Sequence, residues 1–460
     1  MIVKGCESSR PFLFLRVLFP LLTIGSSMQD IAIVMGLNIF LESGRGRDMA
    51  EFLVLGAGMV GVSSALALQA RGHQVTIVDR TGAGLETSYG NAGMIQVEAA
   101  EPYALPRDMV TLCKYAFEIS NDVTWKLSGA LQMAPALWSY FRHSSPEKHA
   151  KISRVHAQLT FRSTADHDPL IRESGSEHLI RHCGLVMLHR DDAEFEKAVK
   201  KAEFVMREYG VTSRIFDGKG YQQEEPALKK TPAGAVHYTQ SWSCSSPGAL
   251  TKAYCDLFVK RGGRFVTGEA NTLQHSVSGW KMLTRDGELH AEHVVIALGP
   301  WSPELVKRFG YRIPMVYKRG YHGHFNAPNS LQRPFLDVEY GVLAAPMVKG
   351  LRVTTGAALV PMNSEIDTRQ LKRGADALNE IIDLGEQVKE PQWMGTRPCM
   401  PDMLPLVGEA PNHKGLWFHF GHGHQGFTLG PTTAELLVQA IEGESSPLLE
   451  ALSPVKRLAR

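Results

Sequence analysis

The chain has 460 residues, long enough for a large core shared by two domains, and its 44% hydrophobic and 21% charged content is ordinary for a soluble globular protein. Its 49 basic and 47 acidic side chains leave a net charge of +2, a balance that gives no reason to expect a nucleic-acid partner. Six cysteines (Cys6, Cys113, Cys183, Cys244, Cys255, Cys399) are scattered without a C-x-x-C pair, which fits small buried hydrophobes in a reducing compartment better than a disulfide framework.

Residues 1–48 differ from everything after them. The run "RPFLFLRVLFPLLTIGSS" is broken by Arg16 and Pro20, and "IAIVMGLNIFL" is shorter still. Both fall short of the ~20 apolar residues that span a bilayer, and the interrupting charge makes a poor signal peptide. Met49 then precedes a strong strand pattern. It is expected to be the natural start, with a targeting or membrane-anchoring leader as the alternative.

"EFLVLGAGMVGVSSALALQARGHQVTIVDR" (51–80) predicts a doubly buried strand, a turn at Gly56-Ala57-Gly58, a helix past Gly61 and a second strand ending on Asp79. Each part has a physical task. Gly56 permits the tight turn, Gly58 lets backbone N–H groups approach a pyrophosphate, and Gly61 lets helix and strand lie close. The helix N-terminus turns its partial positive charge to the phosphates. Asp79 is placed for ribose hydroxyls and would repel a 2′-phosphate, and Arg80 follows it. The pattern predicts an ADP-containing dinucleotide without separating NAD from FAD.

The next loop, "LETSYGNAGMI" (85–95), is rich in small and hydroxyl residues: Thr87, Ser88, Asn91, Ala92 and Gly93. It suits close backbone approach to an extended ligand, although an ordinary surface turn has similar composition. Residues 148–210 alternate long helical patterns with the strand-like "GLVMLH". "SSPGALTKAYCDLFVKRGGRFVTG" (245–268) then reads as a helix and a strand, and "HVVIALGPW" as a buried strand running into Ala297, Gly299 and Trp301. From 313 to about 360 short strands with turns predict an antiparallel sheet.

"WMGTRPCMPDMLPLVGEAP" (393–411) places Arg397 before Pro398, with Asp402, Pro405 and Gly408 following. A planar guanidinium there could grip a carboxylate through two parallel hydrogen bonds. "GLWFHFGHGHQGFTLGPTTAELLVQAIEG" (415–443) predicts a strand, a glycine-rich turn and a helix beginning at Gly430-Pro431. His419, His422 and His424 could coordinate a metal, but no Cys, Asp or Glu stands near to complete a set. No metal is expected, and lining a cofactor or packing a strand are the readings left.

The fingerprint, Asp79, the "ETS..NAG" loop and the two C-terminal blocks together resemble the D-amino-acid oxidase superfamily of flavoproteins. The likeness runs toward bacterial D-amino-acid dehydrogenases, with glycine and sarcosine oxidases as cousins. It extends from about residue 50 to about 445 and is loose between roughly 100 and 240. It implies an α/β architecture, a Rossmann-type FAD-binding domain interleaved with a mainly antiparallel-sheet substrate domain. The expected bounds are 49–100, 150–178, 241–308 and 393–446 for the first and 101–149, 179–240 and 309–392 for the second, with 1–48 an extension and 447–460 a tail.

The resemblance also implies FAD rather than NAD, non-covalent because Cys399 lies too near Asp402 for a flavin-linking cysteine. It places Ala297 and Gly299 beside the cofactor. The turn at Gly426, Phe427 and Thr428 would present amides to the flavin pyrimidine edge, with the histidines lining the flavin. Arg397 would hold the substrate carboxylate, Tyr321 would make a second contact, and His424 would complete the substrate side.

The function that follows is oxidative deamination of a small D-amino acid or cyclic imino acid, by hydride transfer from Cα to flavin N5. Electrons would pass to a quinone or respiratory partner, in a cytoplasmic protein at or near the inner membrane face. A sarcosine-type amine oxidase, a 2-hydroxy-acid dehydrogenase and a non-catalytic flavin-binding subunit are the alternatives.

Overall fold

Apolar runs bounded by glycine turns build the first sheet. Glu51–Leu55, Gln74–Asp79, Arg264–Thr267, His293–Ile296 and Leu416–Phe420 lie parallel, and Leu406–Glu409 adds an antiparallel edge. The four residues from Phe52 to Leu55 are all essentially solvent-free, as a strand covered on both faces requires. The helices Met59–Ala70, Pro247–Lys260 and Gly426–Ile441 join that sheet in one apolar core, with Leu68, Phe258 and Leu437 among its fully buried members. The computed structural model describes residues 49–458, so the expectation for residues 1–48 lies outside the described residues.

A second, ten-stranded sheet carries its own core around Val186, Phe335 and Val353. It is mainly antiparallel, with parallel pairing only between Phe335–Asp337 and Leu185–His189 and between Ala357–Leu359 and Val123–Trp125. Its centre is the long strand Val316–Phe325, which pairs antiparallel with Gly350–Thr354 and with Trp393–Cys399. That last strand is the chain's route back toward the first sheet. The α/β architecture of a parallel nucleotide-type sheet beside an antiparallel one is therefore present.

Two local expectations are corrected. The C-terminal helix begins at Gly426, not at Gly430-Pro431, and Pro431 lies inside it. A proline there cannot supply the N–H that the Phe427 carbonyl needs. His167 Nε2, on the helix Pro146–Glu173, lies 3.0 Å from that oxygen and satisfies it instead. Residues expected as a tail form two short helices, Pro447–Leu452 and Pro454–Leu458. Arg457 anchors the second through Asp402, at 2.5 and 2.8 Å.

Candidate active site

The fingerprint forms a cradle of backbone. Gly56 has a φ of +106°, and a Cβ there would stand 2.6 Å from the Ala297 carbonyl oxygen. At Gly61 a Cβ would meet the Gly56 carbonyl oxygen at 1.9 Å, so only glycine lets the helix lie this close to the turn. Asp79 Oδ2 accepts the Ala57 N–H at 2.8 Å, and Oδ1 accepts the Thr81 N–H at 2.8 Å, which fixes the carboxylate at the end of its strand. Arg80 pairs with Glu86 and stacks its guanidinium 4.4 Å from the Trp301 ring centre.

These groups open onto a cavity of about 1100 Å³ that continues to the antiparallel sheet. Gly56, Gly58, Asp79, Arg80, Thr87, Ser88, Asn91, Ala92, Ala297, Gly299, Gly426 and Phe427 all line it. Gly61, Gly93 and Thr428 do not, and act behind the wall. Gly93 fits against the Cys244 carbonyl, and Thr428 Oγ1 bonds to the Met94 carbonyl at 3.1 Å, tying the last helix to the 85–95 loop. The Arg352 guanidinium holds that loop from beneath, through the carbonyls of Tyr89 and Asn91.

At the far end, strand parity selects the side chains. Lys318 stands directly opposite Arg397 in the Val316–Phe325/Trp393–Cys399 ladder, with Gly320 two residues along on the same face. A Cβ at Gly320 would lie 2.8 Å from Arg397 Nη2, so glycine makes room for the guanidinium. Arg397 donates to the carbonyls of Gly356 (2.7 Å) and Thr355 (3.1 Å). Burial works against its charge and holds its pKa below the ordinary value. Lys318 Nζ donates to the Tyr140 hydroxyl at 2.9 Å, and Tyr140 in turn donates to the Tyr103 carbonyl.

Tyr103 is 62% exposed, yet burial raises its hydroxyl above the usual range. The two agree because its free surface faces the cavity and not bulk solvent. Its ring lies 5.0 Å from that of His424. His424 Nε2 is 2.9 Å from the Gln425 amide nitrogen, which can only donate, so the ring carries its proton on Nδ1. Burial, with Arg397 adding to it, keeps His424 neutral, its pKa well below ordinary.

Tyr321 is corrected by the same parity. It borders the cavity, but its side chain belongs to the opposite face of the sheet, is 2% exposed, and its hydroxyl accepts the Asp367 N–H at 3.3 Å. His419 and His422 also divide from His424. All three border the cavity, but His419 Nε2 and His422 Nε2 both meet Thr433 Oγ1, at 2.8 and 2.9 Å, and His419 Nδ1 meets Ser64 Oγ at 2.6 Å. Those two rings tie the strand and the turn to two helices, whereas His424 bonds its neighbour Gln425 and stands beside Tyr103 on the cavity.

Among the described residues one trio has metal-like spacing elsewhere, His322, His324 and Glu390. Arg352 Nε already donates to His324 Nε2 at 3.1 Å, and Lys349 pairs with Glu390. Two cations stand where an ion would repel them.

The model for FAD dependent oxidoreductases matches residues 51–440. The chain belongs to that family. A D-amino acid dehydrogenase of Chromohalobacter salexigens is 28% identical over 403 residues, 85% of this chain and 96% of that one. One of Paramagnetospirillum magneticum is 28% identical over 414 residues, 86% and 96% of the two chains. Among solved structures, glycine oxidase from Geobacillus kaustophilus superposes with a TM-score of 0.66 at 22% identity, covering 88% of this chain and 98% of that one. L-proline dehydrogenase from P. horikoshii gives 0.64 at 16%, covering 89% and 97%. The structural likenesses show the shared fold.

The protein is thus an FAD-dependent oxidoreductase, and its residues fit the cofactor. Gly56 and Gly58 border the cavity and put no side chain over the backbone where a pyrophosphate would lie. Thr87 Oγ1, in the cavity wall, has no hydrogen-bond partner among the described residues, and buried hydroxyls seldom remain so without a ligand or water. The Gly426 and Phe427 amides open the helix Gly426–Ile441 at the cavity, with the Thr428 amide behind them, and have no partner within that helix. Sequence reasoning missed Lys318, Tyr103 and Tyr140. The one available signal was Lys318 in phase with Gly320 on a strand paired to the Arg397 block.

Proposed function

We propose that this protein oxidises the Cα–N bond of a small amino acid, of D configuration, with Arg397 holding the substrate carboxylate. The carrying observation is Arg397 itself. Its guanidinium sits in the cavity wall, bonded to two backbone carbonyls and to no acid among the described residues. A charge desolvated there without a counter-ion is costly until a carboxylate arrives, and the carbonyls fix the plane in which it is gripped. The D configuration draws on the curated relatives, which are named D-amino acid dehydrogenases.

Bound FAD would supply the acceptor for the hydride leaving Cα. Gly56, Gly58, Asp79, Thr87, Ser88, Asn91 and Ala92 would hold it at one end, and the amides of Gly426 and Phe427 would stabilise negative charge developing at the other. It is held without a covalent link, Cys399 lying too near Asp402 to be a flavin-linking cysteine. Neutral His424 and protonated Tyr103 line the substrate side without offering a strong base. The amine must therefore arrive uncharged, and the rate rises with pH through the amine's own ionisation. Water hydrolyses the imine product to a 2-keto acid and ammonia, and electrons leave to a quinone or another carrier.

The test is anaerobic mixing of the yellow holoenzyme with D- and L-amino acids, D-proline, sarcosine and 2-hydroxy acids. Bleaching by D-amino acids with release of a keto acid and ammonia is expected. Bleaching by 2-hydroxy acids alone, or by no substrate, would overturn the proposal.

A further inference from the structure

Arg397 does not stand alone. Lys318 is its direct cross-strand partner on the same face, and both side chains line the cavity. Like charges directly opposite on neighbouring strands destabilise a sheet, and here both stand half-buried in the cavity wall. Neither makes an ion pair among the described residues. Arg397 has its two carbonyls, and Lys318 has the Tyr140 hydroxyl, with the Tyr140 ring centre 4.4 Å from Nζ. Burial works against the Lys318 charge, but Tyr140 and Cys399 beside it act the other way and its pKa lies above the ordinary value.

Neither Glu98 nor Asp122 makes an ion pair with Arg397 or Lys318 among the described residues. Glu98 is hydrogen-bonded by Ser241 and by Gln96 Nε2, the latter at 2.6 Å. Asp122 borders the cavity but turns to Gly341, where a Cβ would lie 2.5 Å from its Oδ1, and burial raises its carboxyl pKa. One carboxylate gripped by the planar guanidinium answers only one of the two charges. A substrate with an apolar side chain would leave the ammonium desolvated and without an anion.

We infer that Lys318 is a specificity-determining residue and that the preferred substrate carries a second carboxylate, an acidic amino acid whose α-carboxylate meets Arg397 and whose side-chain carboxylate meets Lys318. The inference rests on the proposed amino-acid oxidation and deepens it by naming the substrate class. Tyr140 is the positioning residue, since its hydroxyl accepts a hydrogen bond from Lys318, donates one to the Tyr103 carbonyl, and so fixes where the ammonium points. A single carboxylate shared by both cations is the competing source of the same charge.

Two measurements separate these. In the reductive half-reaction, D-glutamate is compared with D-norvaline, its uncharged near-isostere, for the wild type, Lys318→Met and Lys318→Arg. The wild type is expected to favour D-glutamate. The ratio of kcat/KM values should fall about 50-fold in Lys318→Met, mainly through KM, and recover in Lys318→Arg. A wild type that favours D-norvaline, or equal losses for both substrates in Lys318→Met, would overturn the inference and leave the oxidase reading standing. If no amine reduces the flavin, the catalytic reading fails on its own. Glutarate and butyrate binding, followed by the shift in flavin absorption, then decides the Lys318 site. Tighter binding of glutarate that Lys318→Met abolishes supports it, and equal binding of the two acids contradicts it.

Discussion

The two ends of the cavity are built on different principles. At the fingerprint end the work is done by backbone and by the absence of side chains: a turn at Gly56, a helix start, and 1.9 Å between a hypothetical Gly61 Cβ and the Gly56 carbonyl oxygen. At the other end the work is done by side chains, Arg397, Lys318, Tyr103 and His424, brought together from segments far apart in the chain. The first end is a steric exclusion with almost no latitude. The second is an arrangement of charges that can be altered one group at a time, which is where substrate choice can vary while the cofactor stays the same.

The contrast can be broken most severely at Gly61. Gly61→Val should abolish FAD retention and cost at least about 4 kcal/mol in stability, because the clash is with backbone that cannot move aside. Flavin absorbance after gel filtration and a thermal melt check it. At the side-chain end the expected loss is in function alone. Arg397→Met should keep its FAD and its melting temperature while kcat/KM falls about 1000-fold, the cost of removing one partner of a desolvated charge pair. Tyr321→Phe, on the other face of the same ladder, should change kcat/KM by less than about threefold. Steady-state kinetics on the two variants tests the parity argument.

A pH effect reports the buried packing histidines. Burial drops His156 and His167 to about 4 from an ordinary 6.5. The unfolded chain therefore binds protons that the folded state refuses, and stability is complete above 6.5 and lost as pH falls toward 4. Each should cost roughly 2 kcal/mol by pH 5. His167→Gln, which keeps a donor for the Phe427 carbonyl and cannot titrate, should flatten part of the decline in melts between pH 7 and 5. A small effect is also expected at Arg80. Its pair with Glu86 is roughly 40% exposed on both sides, so Arg80→Ala should weaken FAD binding by only a fewfold, about 1 kcal/mol or less. A fluorescence titration measures it.

How much of this could be read from the sequence follows the same division. The fingerprint is contiguous, so spacing alone reveals strand, turn, helix and Asp79. The Arg397 block and the histidine turn are also local enough to see. Tyr321 was misplaced because one residue of strand parity decides which face a side chain takes, and nothing local reports which face meets the cavity. The helix start was misplaced because Pro431 looks like a first-turn proline until His167, 260 residues away, is seen holding the carbonyl it orphans. Lys318 and Tyr140 are 178 residues apart, and neither belongs to a motif.

The central claim is that Arg397 positions an amino acid by its carboxylate for loss of the Cα hydrogen. Single-turnover reduction of the flavin by D-glutamate and D-alanine, protiated or deuterated at Cα, tests it most directly in the wild type and Arg397→Met. The account predicts rapid, saturable bleaching in the wild type, slowed severalfold by deuterium. It also predicts an Arg397→Met protein that stays yellow and no longer saturates with substrate. Reduction of the variant at the wild-type rate, with unchanged substrate affinity, would contradict it.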